Sequence, residues 1–552
     1  MVKLEKILIF ILVFAFLIRL LGINYGLPMW LIDDEPPFAL AALKMIQLKN
    51  PIPAFNLEDF KTVLYYPPYL AYAYILPFLA LLGVKFLTFS GEASQFIYHL
   101  TSDLSAFFLT ARFLNVLLGT ASVWLAYDAA KNLFKNNIAG LAAAFFLATS
   151  LSHAMFSMVG RHWLPVSFIY LLAFWFLTKA EWGWEKRYFS ALLVIGLGMG
   201  VSPITALFLI LMTGWYFLYE TRTLGNLVKS KYFYVSGAFF VFLISLPSWL
   251  YPASFGFTGD VTLSAVKSFG DLLASPIQFL KPVILAEPVL ALFAVIGLLL
   301  ALWQQKNLFW PFLIFFYGYA GIFYWFFRYE HRFLLPLVPF LAILAGFAFS
   351  HAKNSFNNKF ITGALLVLFL LPFNASLRLS YLAYHDDSRA LLRDWTLANV
   401  PVGSKILVYS RLTRLPSDKE AIAEQRAIDP GSLRKVDAAE ENLAVREGKY
   451  FHALNLYSVS NGAFLNQLEN YAKKNGYEYL FLSDADAGRN PEIFKRFRDL
   501  AEKGELLESF GSSQEDYSLA IGQLLGNPFN LFKIKELGPS SAIYKLQMTN
   551  DK

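Results

Sequence analysis

The chain contains no cysteine. No disulfide can therefore brace an extracytoplasmic part, no cysteine cluster can hold a metal, and a prokaryotic source is favoured. Charge is scarce as well. Asp, Glu, Lys and Arg make up 16% of the 552 residues, against about 25% in ordinary soluble proteins. Several catalytic signatures are missing: no GxxxxGK(S/T), HExxH or GxSxG occurs, so phosphate-loop, zincin and serine-elbow chemistry have no residues to stand on. What is abundant is apolar, with 57% hydrophobic and 17% aromatic residues. The net charge of +7 is not read as a nucleic-acid footprint. In a polytopic membrane protein, excess Lys and Arg gathers in the cytoplasmic loops.

Residues 5–24 form an apolar run of about the 20 residues needed to cross hydrocarbon. Lys3 and Lys6 lie at its start and no convincing cleavage site follows, so it is read as an uncleaved span with its N-terminus in the cytoplasm. Arg19, near its outer end, is expected to snorkel to the headgroups. Further spans are expected at 105–127, 139–158, 164–178, 188–201, 203–220, 232–251, 283–303, 308–327, 333–350 and 360–377. The expected fold is a polytopic α-helical membrane protein of about 11–13 spans, odd in number. This register places 13 Lys and Arg inside and 5 in the short outer loops, as the positive-inside rule requires. Residues 66–84 are long enough to cross, but a crossing there would invert every later loop. They are read as a juxtamembrane or re-entrant helix within a first outer loop, 25–104.

At about residue 385 the composition turns polar. Residues 1–384 are expected to form the membrane domain and 385–552 a soluble extracytoplasmic α/β domain. Its expected elements are strands at 405–409, 477–482 and 542–546, and helices at 389–400 and 492–502. Asp484-Ala485-Asp486 follows a strand and ends in Gly488; it is read as turn chemistry rather than a nucleotide-sugar site.

The candidate chemistry begins at Asp33-Asp34-Glu35, followed by Pro36-Pro37. One reading is simply an acidic helix start, since proline suits the first helical position and acids suit the positive end of the dipole. Another is a carboxylate base at the mouth of a membrane cavity, where neighbouring carboxylates raise one pKa. Tyr65-Tyr66-Pro67-Pro68-Tyr69 fixes a helix entry and supplies interfacial aromatics. Arg112, Arg161 and the Arg328-Tyr329-Glu330-His331-Arg332 run are expected near outer membrane edges. Singly these arginines are anchors; together they would suit a lipid phosphate, because guanidinium matches phosphate oxygens bidentately.

Taken in order, four motifs resemble the GT-C membrane glycosyltransferases. They are Asp34-Glu35 in the first outer loop, Tyr66-Pro67-Pro68-Tyr69, Ala111-Arg112-Phe113-Leu114, and Arg332-Phe333-Leu334-Leu335-Pro336-Leu337-Val338-Pro339. The chain looks most like the dolichyl-phosphate-mannose protein mannosyltransferases and the bacterial lipid A aminoarabinose transferases, over about residues 5–350. Arg393-Asp394-Trp395 before Pro401-Val402-Gly403-Ser404 resembles the outer domain of prokaryotic members. The chain differs from many relatives in having His162-Trp163-Leu164-Pro165 where an acid follows the matched arginine, and Tyr66 where some place Lys or His.

The resemblance implies an inverting transfer of a sugar from a polyprenyl-phosphate donor to a protein, lipid or cell-surface glycan at the outer membrane face. Asp34 would be the general base with Glu35 in support. Arg112, Arg328, His331 and Arg332, with Tyr65 and Tyr66, would hold the lipid phosphate; Asp33, Arg161 and His162 are secondary candidates. A Mg²⁺ or Mn²⁺ ion on Asp34 and Glu35 remains an alternative to phosphate binding by arginine alone. Membrane lipids, and no nucleic acid, are the other expected partners. The rival classes are a transporter or flippase of lipid-linked sugars and a lipid-linked-glycan ligase.

Overall fold

The computed structural model describes residues 2–32, 34–61, 63–92, 95–96, 100, 103–255, 269–326, 331–355, 359–433, 450–484, 490–511 and 527–547. The main helices of the first part are α1 (Val2–Leu21), α2 (Pro36–Leu48), α3 (Tyr69–Thr88), α4 (Ser105–Phe134), α5 (Asn137–Thr149), α6 (Leu151–Ser157), α7 (Trp163–Leu177), α8 (Trp184–Gly198), α9 (Pro203–Tyr219), α10 (Lys231–Leu250), α11 (Phe269–Ala286), α12 (Pro288–Gln304), α13 (Lys306–Phe326), α14 (Val338–Ser355) and α15 (Lys359–Tyr384). Among the described residues, five helical stretches are long and apolar enough to cross a membrane, or six if the bent pair α5–α6 is one span, with four shorter apolar helices beside them. The chain is a multi-pass membrane protein.

The 30-residue α4 is the spine, with α1, α5, α7 and α14 packed along it. Small residues let α14 close on α5: a Cβ at Gly346 would meet the carbonyl of Ala139 at 2.4 Å. Near the start of α4, Arg112 donates to the carbonyls of Ile23 and Tyr25, just beyond the end of α1. The chain therefore leaves α1 and enters α4 on the same rim of the bundle. A single crossing by α3 would not connect two points on one rim, although its 20 apolar residues are long enough to span.

Two expected spans are divided. Residues 139–158 break at Ser150 into α5 and α6, bent by 60°, and the 283–303 span begins only at Pro288, after α11. A break inside a bundle frees backbone groups that must be satisfied locally. Here Arg19 does so. It does not snorkel but lies fully buried, donating to the carbonyls of Ala148 (3.2 Å) and Leu147 (3.1 Å) at the end of α5, with Ser157 Oγ and His153 Nδ1 beside it. A cation there also suits the negative end of the α5 dipole.

Beyond α15 come α16 (Ser388–Asn399), β1 (Lys405–Tyr409), α17 (Lys419–Ile428), β2 (His452–Asn455), α18 (Leu468–Asn475), β3 (Tyr479–Ser483), α19 (Pro491–Glu502), β4 (Glu505–Phe510) and β5 (Ser541–Lys545). The sheet order is β2-β1-β3-β5-β4, parallel among β1, β2 and β3 and antiparallel at β5 and β4. All five residues of β3 are buried, as befits a strand covered on both faces. Asp484 ends the β3 register and pairs with Arg498 at 3.7 Å; Asp486 lies outside the described residues.

Beside β2, His452 bridges two acids, Nε2 to Glu424 at 2.7 Å and Nδ1 to Asp418 at 3.1 Å. The Glu424 hydrogen bond raises the His452 pKa. Burial alone would raise Glu424, but hydrogen bonds from His452, Tyr471 and Tyr477 outweigh it and bring its pKa down to about 2. The raised His452 contributes stability below its ordinary 6.5 that is lost as pH rises through the folded value. The depressed Glu424 contributes above its ordinary 4.5 and loses that contribution as pH falls toward about 2. Amide-exchange protection of the α17–β2 region in the full chain should thus be greatest between these two ordinary values. It should fall as pH rises through the raised His452 pKa, and His452→Asn should flatten that alkaline fall.

Candidate active site

The loop between α1 and α2 turns sharply: Gly26 sits at φ +70, Trp30 at φ 55 and Asp34 at φ 59. Aspartate is one of the few side-chain-bearing residues that tolerates this left-handed region. Pro36 and Pro37 then open α2. Glu35 occupies the N-cap position, yet its side chain does not cap its own helix. It points instead into the bundle, where Arg112 grips it with two parallel bonds, Nε to Oε1 at 2.7 Å and Nη2 to Oε2 at 2.6 Å. Gly160 N–H donates to the same Oε1 at 2.6 Å. The third Arg112 nitrogen holds the carbonyls of Ile23 and Tyr25 at 2.7 and 2.8 Å. The pair is wholly enclosed, at 0% and 1% exposure. Gly160 is confined by this contact, since a Cβ there would meet Glu35 Oε1 at 2.9 Å.

One turn further along α4, Asn115 Nδ2 donates to the carbonyls of Val159 and Arg161, at 2.5 and 3.0 Å. Arg112 and Asn115 together thus fasten the turn between α6 and α7, and that turn presents Arg161. Arg161 Nη2 reaches Asp34 Oδ2 at 2.7 Å, and Arg332 Nη1 reaches the same oxygen at 2.9 Å. Arg161 and Arg332, from distant parts of the chain, therefore share one oxygen on one rim. Asp34 remains 24% exposed. The Nε and Nη1 of Arg161 and Nδ1 of His162 are buried without a hydrogen-bond partner. The His162 ring is layered against Tyr66 at 4.6 Å and Trp163 at 4.7 Å, with Phe38 behind Tyr66 at 4.9 Å.

Burial alone would raise the Asp34 pKa, but the charges of Arg161 and Arg332 outweigh it and hold the carboxyl below its ordinary value. Burial first, then the same two arginines, holds His162 well below its ordinary value and therefore neutral. The described groups around Asp34 carry one negative and two positive charges, an arrangement short of one anion. Each of the two carboxylates is already neutralised by guanidinium. Among the described residues no group of three or more His, Cys, Asp or Glu could hold a metal. This donor set suits an anion and does not fit Mg²⁺ or Mn²⁺.

The structure thus brings together Asp34, Arg161, Arg332, His162 and Tyr66. It sets Glu35 and Arg112 apart, locked to each other in a closed pocket rather than facing a ligand. Tyr65 is exposed beside Tyr66, at a ring distance of 5.4 Å. Asp33, Arg328 and the side chain of His331 lie outside the described residues. Sequence reading missed Asn115 and Gly160. A usable signal was Asn115 three residues after Arg112 in an apolar helix, because polar residues inside a span seldom lack a partner.

Residues 94–251 match the dolichyl-phosphate-mannose-protein mannosyltransferase family. The matched stretch contains Arg112, Asn115, Arg161 and His162, and agrees with the GT-C resemblance read from the motifs. No curated protein matches the chain. Among solved structures, the apo form of ArnT from Cupriavidus metallidurans is 12% identical, with 97% of each chain covered and a TM-score of 0.46. The form bound to undecaprenyl phosphate is 11% identical over 99% of each chain, with a TM-score of 0.42. An oligosaccharyltransferase from Archaeoglobus fulgidus is 13% identical over 82% of this chain, with a TM-score of 0.41. The chain spans 64% of that enzyme's length.

Removing one partner of a buried ion pair strands the other charge without water. Arg112→Leu should therefore destabilise the detergent-solubilised protein by about 3–5 kcal/mol, read from thermal or denaturant unfolding. The apolar double replacement Glu35→Leu with Arg112→Met should recover only part of that loss, because the Gly160 N–H and the carbonyls of Ile23 and Tyr25 are then left without these partners.

Proposed function

We propose that the protein is a glycosyltransferase that moves a sugar from a polyprenyl-phosphate donor to an acceptor hydroxyl or amine at the outer membrane face, with inversion. The observation that carries this reading is the single Asp34 oxygen shared by Arg161 and Arg332, with two further Arg161 donors buried and unpartnered. The family match supports sugar transfer as the class, and the charge bias of the loops supports an outward-facing site with residues 1–384 in the membrane and 385–552 outside. The recipient, whether protein, lipid or surface glycan, is left open by these residues.

The chemistry follows from charge balance. A lipid-linked sugar phosphate is a phosphodiester with one negative charge. Its non-ester oxygens would take the guanidinium donors of Arg161 and Arg332, and this competition releases Asp34. Once released, the Asp34 carboxylate loses the charges that depress its pKa and becomes a better base. The acceptor oxygen attacks C1 of the sugar as its proton passes to Asp34. The C1–O bond to phosphate breaks, and its electron pair stays on the phosphate, which leaves as a dianion. Two guanidiniums, one phosphodiester and one carboxylate sum to zero before the step. Two guanidiniums, one phosphate dianion and one carboxylic acid sum to zero after it. A partly dry site can support such a step because no net charge appears or disappears. One displacement inverts C1. In this reading Glu35 and Arg112 position Asp34 and touch neither substrate.

Purified protein in proteoliposomes, given polyprenyl-phosphate carrying a radiolabelled sugar, should transfer the label to acceptor. Asp34→Asn should slow transfer by about 10²–10⁴-fold, the usual contribution of a general base, while donor binding tightens, because the phosphate no longer competes with a carboxylate for Arg161 and Arg332. Movement of the labelled lipid across the bilayer without transfer would indicate a flippase, and transfer of a whole diphosphate-linked glycan would indicate a ligase. Either result contradicts the reading.

A further inference from the structure

The loop that carries Asp34 is held from two sides, and only one of them is the membrane bundle. On the bundle side, Arg112 holds the carbonyls of Ile23 and Tyr25, and the Trp30 ring lies 5.2 Å from that of Phe108 on α4. The other side is made by residues after α15. The Tyr25 hydroxyl donates a short hydrogen bond to Asp387 Oδ2. Asp387, fully buried, also receives Arg389 Nε at 2.8 Å and Nη2 at 2.9 Å, and caps α16 through Arg389 N–H at 3.0 Å. Met29 and Leu31 form a small buried cluster with Ala390 and Leu412. Above it the guanidinium of Arg414 stacks on the Trp30 ring at 4.8 Å.

We infer that the C-terminal domain is a working part of the transfer site: through Tyr25–Asp387 and Trp30–Arg414 it positions the loop that aims Asp34. This rests on the role proposed for Asp34. Asp34 follows Trp30 by four residues, and the loop has three positive-φ positions, Gly26, Trp30 and Asp34. Side-chain-bearing residues stay in that conformation only where surrounding contacts over-determine it. The contacts that over-determine Trp30 include Arg414 from the outer domain. A cation over an indole face adds attraction without needing a hydrogen bond, and the buried Tyr25–Asp387 bond fixes the other end of the loop. Tyr25, Trp30, Asp387 and Arg414 are thus positioning residues, acting through Asp34 rather than on substrate.

The experiment uses the full-length protein with Arg414→Ala, Arg414→Lys and Tyr25→Phe. Hydrogen exchange is followed in the peptide covering residues 22–35, alongside sugar transfer. Arg414→Ala and Tyr25→Phe should speed exchange in that peptide and lower kcat about 10- to 100-fold, the cost of a small misplacement at a reacting group. The donor KM should change little, and Arg414→Lys, which keeps a cation over the ring, should restore both. In an Asp34→Asn background, Arg414→Ala should cause no further loss, because both act through one carboxylate. Unchanged exchange overturns the inference whatever the activity. Faster exchange with undiminished kcat, or an undiminished Arg414→Ala loss in the Asp34→Asn background, overturns it as well. If the parent transfers no sugar, or Asp34→Asn leaves transfer intact, the proposed function itself fails, whereas exchange at 22–35 still reports whether the outer domain holds the loop.

Discussion

The arrangement depends on one buried ion pair. Two unit charges placed where water does not reach are costly unless geometry and additional hydrogen bonds compensate. Glu35 and Arg112 meet both conditions: two parallel short bonds, a backbone N–H on the carboxylate, and two carbonyls on the remaining guanidinium nitrogen. The same bonds join the end of α1, the start of α2, the first turns of α4 and the α6–α7 turn. Those four segments bring Asp34 and Arg161 together. The enclosed pair is therefore a joint, and its neighbour in sequence is free to do something else.

Adjacent acids take different roles because their surroundings differ. Glu35 is matched one to one with an arginine and sealed. Asp34 is partly open to solvent and shares a single oxygen between two guanidiniums. The first site is satisfied; the second is short of an anion and holds buried donors with no partner. Broken helices add to this pattern. Where α5 stops, Arg19 collects the freed carbonyls, and on the far side of the break Glu287 accepts from Ser150 Oγ and Ser152 N, each at 2.9 Å. Charge inside this bundle goes where regular backbone ends.

Much of this was legible in the sequence, and the exceptions have physical causes. Apolar length located α1, α10 and α13 to within a few residues, because lipid imposes that length, whereas α4 runs seven residues past the expected end. The division at Ser150 was not legible, since an apolar run reads the same whether or not it bends. Strands β1, β3 and β5 stood out as buried apolar runs. The edge strands β2 and β4 did not: β2 has four residues, and Glu505 and Glu508 leave β4 largely exposed, as edges tend to be. In the site, Asp34 and Arg332 could be paired from motif order, and both reach the same rim. Arg112 was read as a phosphate ligand and Glu35 as a support for Asp34; that the two are sealed against each other was not legible, because sequence shows charge but not burial. The contact of Arg414 with Trp30 joins positions far apart in the chain, and no local pattern announces it.

The most direct measurement is an experimental structure with a polyprenyl-phosphate bound. The account predicts phosphate oxygens within hydrogen-bonding distance of Arg161 and Arg332, Asp34 released from both, and the Glu35–Arg112 pair unmoved. A phosphate seated elsewhere while both guanidiniums remain on Asp34, or one that draws Arg112 away from Glu35, would contradict it.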